Sequence, residues 1–262
     1  MPKIFKISFI GAGNLAFRLA PELENAGHQI VEVYSRTKKS AMLLTSRLYN
    51  AEIKTDLDFS RSKAEVIIIA VNDDAIEKVA QQIKINDDLV VAHTSGSKSL
   101  DVLQHAHTEN IGVIYPLQTF SKKKKVNLEE VPILLEANSI HAFLVLNDLA
   151  RSLSKKTYQV DSVKRKAVHV SAVFSCNFTN HLFRIAREIL KKEDLPFDIL
   201  EPLIVETINK GLSLGPDKAQ TGPAFREDLE ILESHMEFLS DNSTYAEIYR
   251  LLSQHIMDIK NT

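Results

Sequence analysis

Apolar positions in the first half of the chain come in short blocks, each followed by a stretch with helical spacing. Lys6–Ile10 (KISFI) predicts a buried strand and Leu15–Ala26 a helix. Gly27 then supplies the left-handed position that commonly follows a helix. Gln29–Tyr34 (QIVEVY) predicts a second strand, Lys39–Tyr49 a helix and Ala51–Lys54 a short third strand. Glu65–Val71 (EVIIIAV) is the most apolar run and predicts a central parallel strand, buried on both faces. Asp74–Ile83 is helical, strands are expected at Leu89–His93, Gly112–Tyr115 and Pro132–Glu136, and Ile140–Leu153 is a helix. Strands alternating with helical segments mean βαβ units and a parallel sheet, with right-handed crossovers placing helices on both faces.

The pattern changes near Asp161, after which no strand is expected. Ser162–Lys192 reads as one long helix, with apolar residues at Val168, Ala172, Phe174, Phe178, Leu182, Ile185 and Ile189. Phe197–Leu212, Glu227–Leu239 and Thr244–Ile259 are further helices, and Gly215–Pro223 (GPDKAQTGP) is a loop by composition. The expected organisation is a doubly wound α/β domain over residues 1–160 and an all-helical domain over 161–262.

The sequence is 44% hydrophobic and 25% charged, the mixture of an ordinary globular protein. A net charge of −2 provides no long-range attraction to nucleic acid or anionic lipid, so neither is an expected partner. Lys122–Lys125 is the one charge run and reads as a solvated loop. No apolar stretch has the length of a membrane span, and the start of the chain lacks the pattern of a signal peptide. The single cysteine, Cys176, lies in a helical apolar run and reads as a packed thiol. A cytoplasmic protein is expected. No Cys/His set has zinc spacing, so no metal site is expected, and no G-x-S-x-G elbow occurs.

Gly11-Ala12-Gly13-Asn14-Leu15-Ala16 is G-x-G-x-x-A between the first strand and the first helix. The first glycine makes the turn and the second lets a diphosphate approach the backbone. The small third residue lets helix and strand pack closely. The helix N-terminus adds free N–H groups and partial positive charge. In this context the motif predicts a dinucleotide cradle at Gly11, Ala12, Gly13, Asn14 and Leu15, against the alternative of a purely structural turn. At the end of the second strand stand Ser35, Arg36 and Thr37, where an NAD site usually carries a carboxylate. A guanidinium there grips a 2′-phosphate through paired hydrogen bonds, so the expected cofactor is NADP.

Ligands of open α/β sheets bind beyond the carboxyl ends of the strands. That rule adds Val71, Asn72 and Asp73 from the central strand, the first two beside the nicotinamide ribose, with Ser95 and Gly96 at the nicotinamide end, and Tyr115. His93 has the chemistry of a proton donor, or else it only orders its loop. Tyr115 is either a substrate contact or a ring with a satisfied hydroxyl. Asn177, Asn180 and Arg184 share one helical face by spacing. With His181 they face a pocket or line a subunit interface, and Asn177 is a candidate catalytic residue. Arg226 either holds a substrate carboxylate or pairs with Asp228.

These residues resemble the 6-phosphogluconate-dehydrogenase-like superfamily of NADP oxidoreductases. F420-dependent NADP oxidoreductases and pyrroline-5-carboxylate reductases share its N-terminal domain. The narrower resemblance is to bacterial proteins that join a Rossmann-like domain to a helical domain of unknown function, DUF2520. It rests on His93-Thr94-Ser95-Gly96, Tyr115-Pro116-Leu117-Gln118-Thr119-Phe120, Asn177-Phe178-Thr179-Asn180-His181-Leu182 and Thr221-Gly222-Pro223-Ala224. The resemblance implies a Rossmann-type NADP domain and a helical domain that supports a homodimer. Asn72-Asp73-Asp74 stands where pyrroline-5-carboxylate reductases carry a lysine-proline pair, which counts against that activity. The expected function is hydride transfer between NADPH and a small carbonyl or imine. The rivals are an NADP-binding sensor without catalysis and an F420-linked reductase.

Overall fold

A computed structural model describes residues 3–260 of the chain. Its contacts divide into two compact units, up to Val173 and from Phe174 onward.

The first unit is built on an eight-stranded sheet. In chain order its elements are β1 (Lys6–Ile10), α1 (Asn14–Asn25), β2 (Gln29–Tyr34), α2 (Lys38–Thr45), β3 (Glu52–Lys54), β4 (Val66–Ile69), α3 (Asp73–Gln82) and β5 (Val90–His93). They continue with β6 (Ile111–Pro116), β7 (Ile133–Ala137), α4 (Ile140–Leu153), β8 (Thr157–Gln159) and α5 (Ser162–Ala172). The strand order is β3-β2-β1-β4-β5-β6-β7-β8. Every pairing is parallel except β6 with β7, which departs from the fully parallel expectation. No α-helix crosses between β6 and β7, only a three-residue 3-10 turn at Leu128–Glu130, and a strand that returns without a crossover can pair only antiparallel.

The two sheet faces bury different side chains of the same strands. Val66 and Ile68 of β4 join Phe5, Ile7, Leu19, Leu146 and Leu149 on the face covered by α1 and α4. Ile67 and Ile69 join Ile76, Ala80 and Leu103 on the opposite face. All four β4 side chains are fully buried, and each contributes about 1.5–3 kcal/mol by leaving water. That explains why β4 reads as a continuous apolar run rather than an alternating one.

Helix α1 carries Pro21 in its interior, where the missing N–H frees the carbonyl of Phe17. Arg47 donates to that carbonyl at 3.4 Å, and its guanidinium lies 4.2 Å from the centre of the Phe17 ring. Gly27, at φ +96°, turns the chain into β2.

The second unit is helical. The stretch expected as one helix over Ser162–Lys192 is α5, a π-helical turn over Val173–Phe178, and α6 (Thr179–Lys192). The π turn adds a residue, so a face counted at 3.6 residues per turn does not run unbroken through Asn177. Then follow α7 (Glu201–Leu214), α8 (Pro216–Ala219), α9 (Pro223–Arg226), α10 (Leu229–Phe238) and α11 (Ser243–Lys260). The segment expected as loop over Gly215–Pro223 thus contains a short helix and the start of another, each opened by a proline at its first turn. Cys176, expected to be packed, is exposed. Among the described residues no helix is long and apolar enough to cross a membrane.

Candidate functional site

The strand order reverses at β1, which pairs with both β2 and β4. Such a switch point opens a crevice at the carboxyl ends of the strands. The crevice here is a cleft of about 840 Å³, within the range of small-molecule and cofactor sites. Gly11, Ala12, Gly13, Asn14, Ser35, Arg36, Val71 and Asn72, all candidates from the sequence, line it.

The two motif glycines have different jobs. Gly11 has φ +111° and donates its N–H to the carbonyl of Tyr34 at 2.8 Å. A Cβ there would sit 2.2 Å from the Ala70 carbonyl oxygen. Gly11 therefore holds β1, β2 and β4 together at the switch point. A Cβ on Gly13 would meet only the Ala70 oxygen, at 4.0 Å, so its missing side chain leaves space in the cleft. Gly13 also caps α1 without any side-chain hydrogen bond, leaving the first-turn amides free of a side-chain cap. Ala16 is fully buried in the core beneath the turn. These features fit a diphosphate: a bare backbone approach, uncapped amides and the positive end of a twelve-residue helix.

Arg36 is exposed at the end of β2 and forms no ion pair among the described residues. A free guanidinium at this point fits a 2′-phosphate. Two lysines the sequence reading did not include, Lys78 and Lys122, also line the cleft. Lys78 follows Asp74 by one turn of α3, so counting that helix from the strand end finds it. Lys122 comes from the charge run read as a solvated loop. Arg18 grips this loop through the Ser121 and Lys122 carbonyls, both at 2.8 Å, and Lys122 Nζ lies 5.2 Å from the Phe17 ring centre.

Five residues expected at the cofactor are not among those that line this cleft. Leu15 packs against the core and Thr37 caps α2, accepting the Ser40 N–H at 3.3 Å. Asp73 opens α3 beside the cleft. Ser95 Oγ accepts the N–H groups of Ser97 and Lys98, at 3.1 and 3.0 Å. Gly96 is packed against Tyr115 and His169: a Cβ there would lie 2.7 Å from Tyr115 Cζ and 2.6 Å from His169 Nδ1.

His93 is fully buried at the end of β5. Its Nδ1 accepts the Ser95 N–H at 3.1 Å, which puts the ring proton on Nε2, 3.3 Å from the Ser99 carbonyl oxygen. Burial, reinforced by the Arg165 charge, lowers its pKa to about 3. Of the two readings of His93, the geometry favours loop ordering over proton donation: the ring is neutral near pH 7 and both nitrogens are engaged within its own loop.

Arg165 is the largest fully buried side chain among the described residues. It pairs with Glu136 of β7 and donates to the Lys98 carbonyl. Ser162 donates to Glu136 at 2.9 Å and accepts the Leu100 N–H at 3.1 Å. The start of α5 is thereby fastened to β7 and to the loop after β5. One turn beyond Arg165, His169 Nδ1 lies 2.9 Å from the Tyr115 hydroxyl. Burial, with a smaller push from Asp73, raises the Tyr115 pKa. Neither Arg165 nor His169 was identified from the sequence. The readable signal is their i, i+4 spacing just after the last strand.

Asn177, Asn180 and His181 belong to the helical unit and are exposed. Arg184 is engaged by Glu188 at 2.9 Å. Arg226 is exposed and lies 3.9 Å from Asp228.

Comparison with known proteins gives a consistent picture. Residues 6–96 match the family of NADP oxidoreductases described as coenzyme F420-dependent, and residues 131–256 match DUF2520, a domain of unknown function. The chain is 41% identical to a candidate NADP oxidoreductase of Bacteroides fragilis whose crystal structure superposes with a TM-score of 0.89, covering 97% of this chain and 98% of that one. A reductive aminase of Aspergillus terreus, solved with NADPH and ethyl-5-oxohexanoate, shares the fold with a TM-score of 0.74 at 14% identity, covering 97% of this chain and 93% of that one. A glutamyl-tRNA reductase of Sulfolobus acidocaldarius is 26% identical over 170 residues, and the match spans 62% of this chain but 38% of that protein.

Proposed function

Because the chain belongs to a family of NADP oxidoreductases that carry a DUF2520 domain, we propose that it transfers a hydride between NADPH and a small-molecule carbonyl or imine. The observation that carries this reading is the free Arg36 guanidinium on a glycine-turn cleft. Gly11, Gly13 and Asn14 would hold the diphosphate, Arg36 and Ser35 the 2′-phosphate, and Val71 and Asn72 the nicotinamide ribose. Ser95, Gly96 and Tyr115 would border the nicotinamide end. NADPH, when bound, supplies the hydride. The chain's own residues bind it, orient it and manage the proton.

A second observation bears on assembly. In the helical unit Phe174, Leu203, Leu212 and Leu251 are 64% exposed or more. Exposed apolar side chains in such number support an interface, with a second copy of this chain as the partner. Asn177, Asn180, His181 and Arg226 remain residues of that unit available to a substrate or to that interface. The cytoplasm is the compartment proposed.

The test is NADPH consumption across a panel of ketones and imines, with cofactor binding measured beside it. Oxidation of NADPH by at least one class supports the reading. Tight NADPH binding without turnover of any member supports the rival, an NADP-binding sensor.

A further inference from the structure

We propose that Tyr115 and His169 form the proton-delivery pair of the reaction, with Tyr115 protonating the carbonyl oxygen or imine nitrogen and His169 resupplying Tyr115. The proposal rests on the hydride-transfer reading above and adds the proton source that His93 does not provide.

Tyr115 stands at the carboxyl end of β6, which runs parallel to β5. Its ring therefore lies on the same edge of the sheet as Gly11, Asn72 and Ser95. The hydroxyl meets His169 Nδ1 at 2.9 Å, and the two rings contact edge to face at 67°. The Ser95–Gly96 turn closes against this contact. Only a residue without a side chain fits, since a Cβ at position 96 would penetrate both rings. The pair is half-buried, neither sealed in the core like His93 nor fully in water.

His169 owes its place to Arg165. Four residues earlier on α5, that guanidinium is fixed by Glu136, the Lys98 carbonyl and Ser162. The charged groups that act on Tyr115 are Asp73 from α3 and Arg165 from α5, of opposite sign. Neither lies in the hydrogen bond itself, so the imidazole is the group that exchanges a proton with the phenol.

The chemistry balances. When His169 is protonated, its Nδ1–H donates to the Tyr115 oxygen, leaving the phenolic proton free to face a substrate. The carbonyl or imine carbon gains the hydride of the dihydronicotinamide, which is oxidised. The C=O or C=N bonding pair takes the Tyr115 proton, giving an alcohol or amine. Tyr115 recovers a proton from Nδ1, and neutral His169 is reprotonated from water. Tyr115 touches the reacting atoms; His169 acts through it.

The experiment uses the full-length protein, NADPH, and cyclohexanone and 2-methyl-1-pyrroline as probes. Tyr115→Phe preserves the ring and is expected to lower kcat by roughly 10²–10⁴-fold, the usual contribution of a positioned acid. NADPH affinity is expected to stay within about twofold, since the pair is not part of the phosphate cradle. His169→Gln keeps a hydrogen-bonding partner for the hydroxyl but cannot titrate. It should lower kcat and flatten the pH profile of kcat relative to the native protein. A third readout needs no turnover: in the cofactor-free protein, nitrogen-15 NMR of the imidazoles should show the His169 Nδ1 signal shifting in Tyr115→Phe. Unchanged kcat in Tyr115→Phe, an unchanged pH profile in His169→Gln or an unmoved Nδ1 signal overturns the pair. A loss of NADPH affinity matching the loss of kcat also overturns it, by making these residues part of the cofactor site. A native protein that binds NADPH but reduces neither these probes nor any member of the ketone and imine panel overturns the hydride-transfer reading, and the pair with it.

Discussion

Replacing His93 by glutamine should remove a specific pH dependence of stability. In the folded protein the imidazole is held near a pKa of about 3 by burial and by Arg165, against 6.5 for a free side chain. The unfolded chain therefore binds a proton below pH 6.5 that the folded chain refuses, so stability is lost as pH falls from that point toward 3. The difference of about 3.5 pH units caps the effect at about 5 kcal/mol, and at pH 5 the loss is about 2 kcal/mol. The chain has no tryptophan, so urea unfolding is followed by far-ultraviolet circular dichroism at pH 8, 6.5 and 5. The native protein should lose about 2 kcal/mol between pH 8 and pH 5 beyond whatever its carboxylates contribute. His93→Gln starts from a lower stability, because the Ser95 N–H and the Ser99 carbonyl lose a fitted partner, but its slope should be flatter by that amount. Parallel slopes for the two proteins would refute the buried neutral imidazole.

Arg36→Ala should weaken NADPH roughly tenfold to a hundredfold, one charge-assisted contact, while leaving NADH nearly unchanged in a fluorescence titration. Equal losses for both cofactors would remove Arg36 from the 2′-phosphate. Gly11→Ala places a Cβ 2.2 Å from the Ala70 oxygen at φ +111° and should destabilise the first unit by about 1–3 kcal/mol or more, with NADPH binding lost. A native melting temperature in that variant would show that the switch point tolerates a side chain. Leu203→Glu and Leu212→Glu, on exposed apolar positions of α7, should shift the protein from dimer to monomer in sedimentation velocity. A native protein that already sediments as a monomer would dismiss the interface.

The parts legible in the sequence are those with strong local signals. β1, β2 and α4 fall at the expected residues because an apolar block or an amphipathic stripe is bounded by turn or cap residues, such as Ser139, which accepts the Ala142 N–H at 3.0 Å. The cradle is legible because strand, glycine turn and helix are contiguous. β8 was not read: it has three residues, with Tyr158 exposed on the sheet edge, and its pairing with β7 supplies what its composition lacks. The reversal of β7 was not legible either, because strand direction depends on whether a helix crosses between strands, and residues 117–132 are irregular apart from one short turn. Arg165 reads as a solvent-facing residue on a polar stretch of helix. Its burial depends on Glu136, 29 residues away, and on a carbonyl 67 residues away. The Tyr115–His169 contact joins positions 54 apart and leaves no periodic trace. His93 was found for its chemistry, yet burial removes that chemistry, and burial of one side chain is a tertiary fact.

The central claim is that the cleft at the switch point is an NADP site. Its most direct measurement is a calorimetric titration of the native protein with NADPH and with NADH. The account predicts saturable one-site binding of NADPH, with NADH weaker by about tenfold or more. No heat of binding at millimolar NADPH, or equal affinity for the two cofactors, would contradict it.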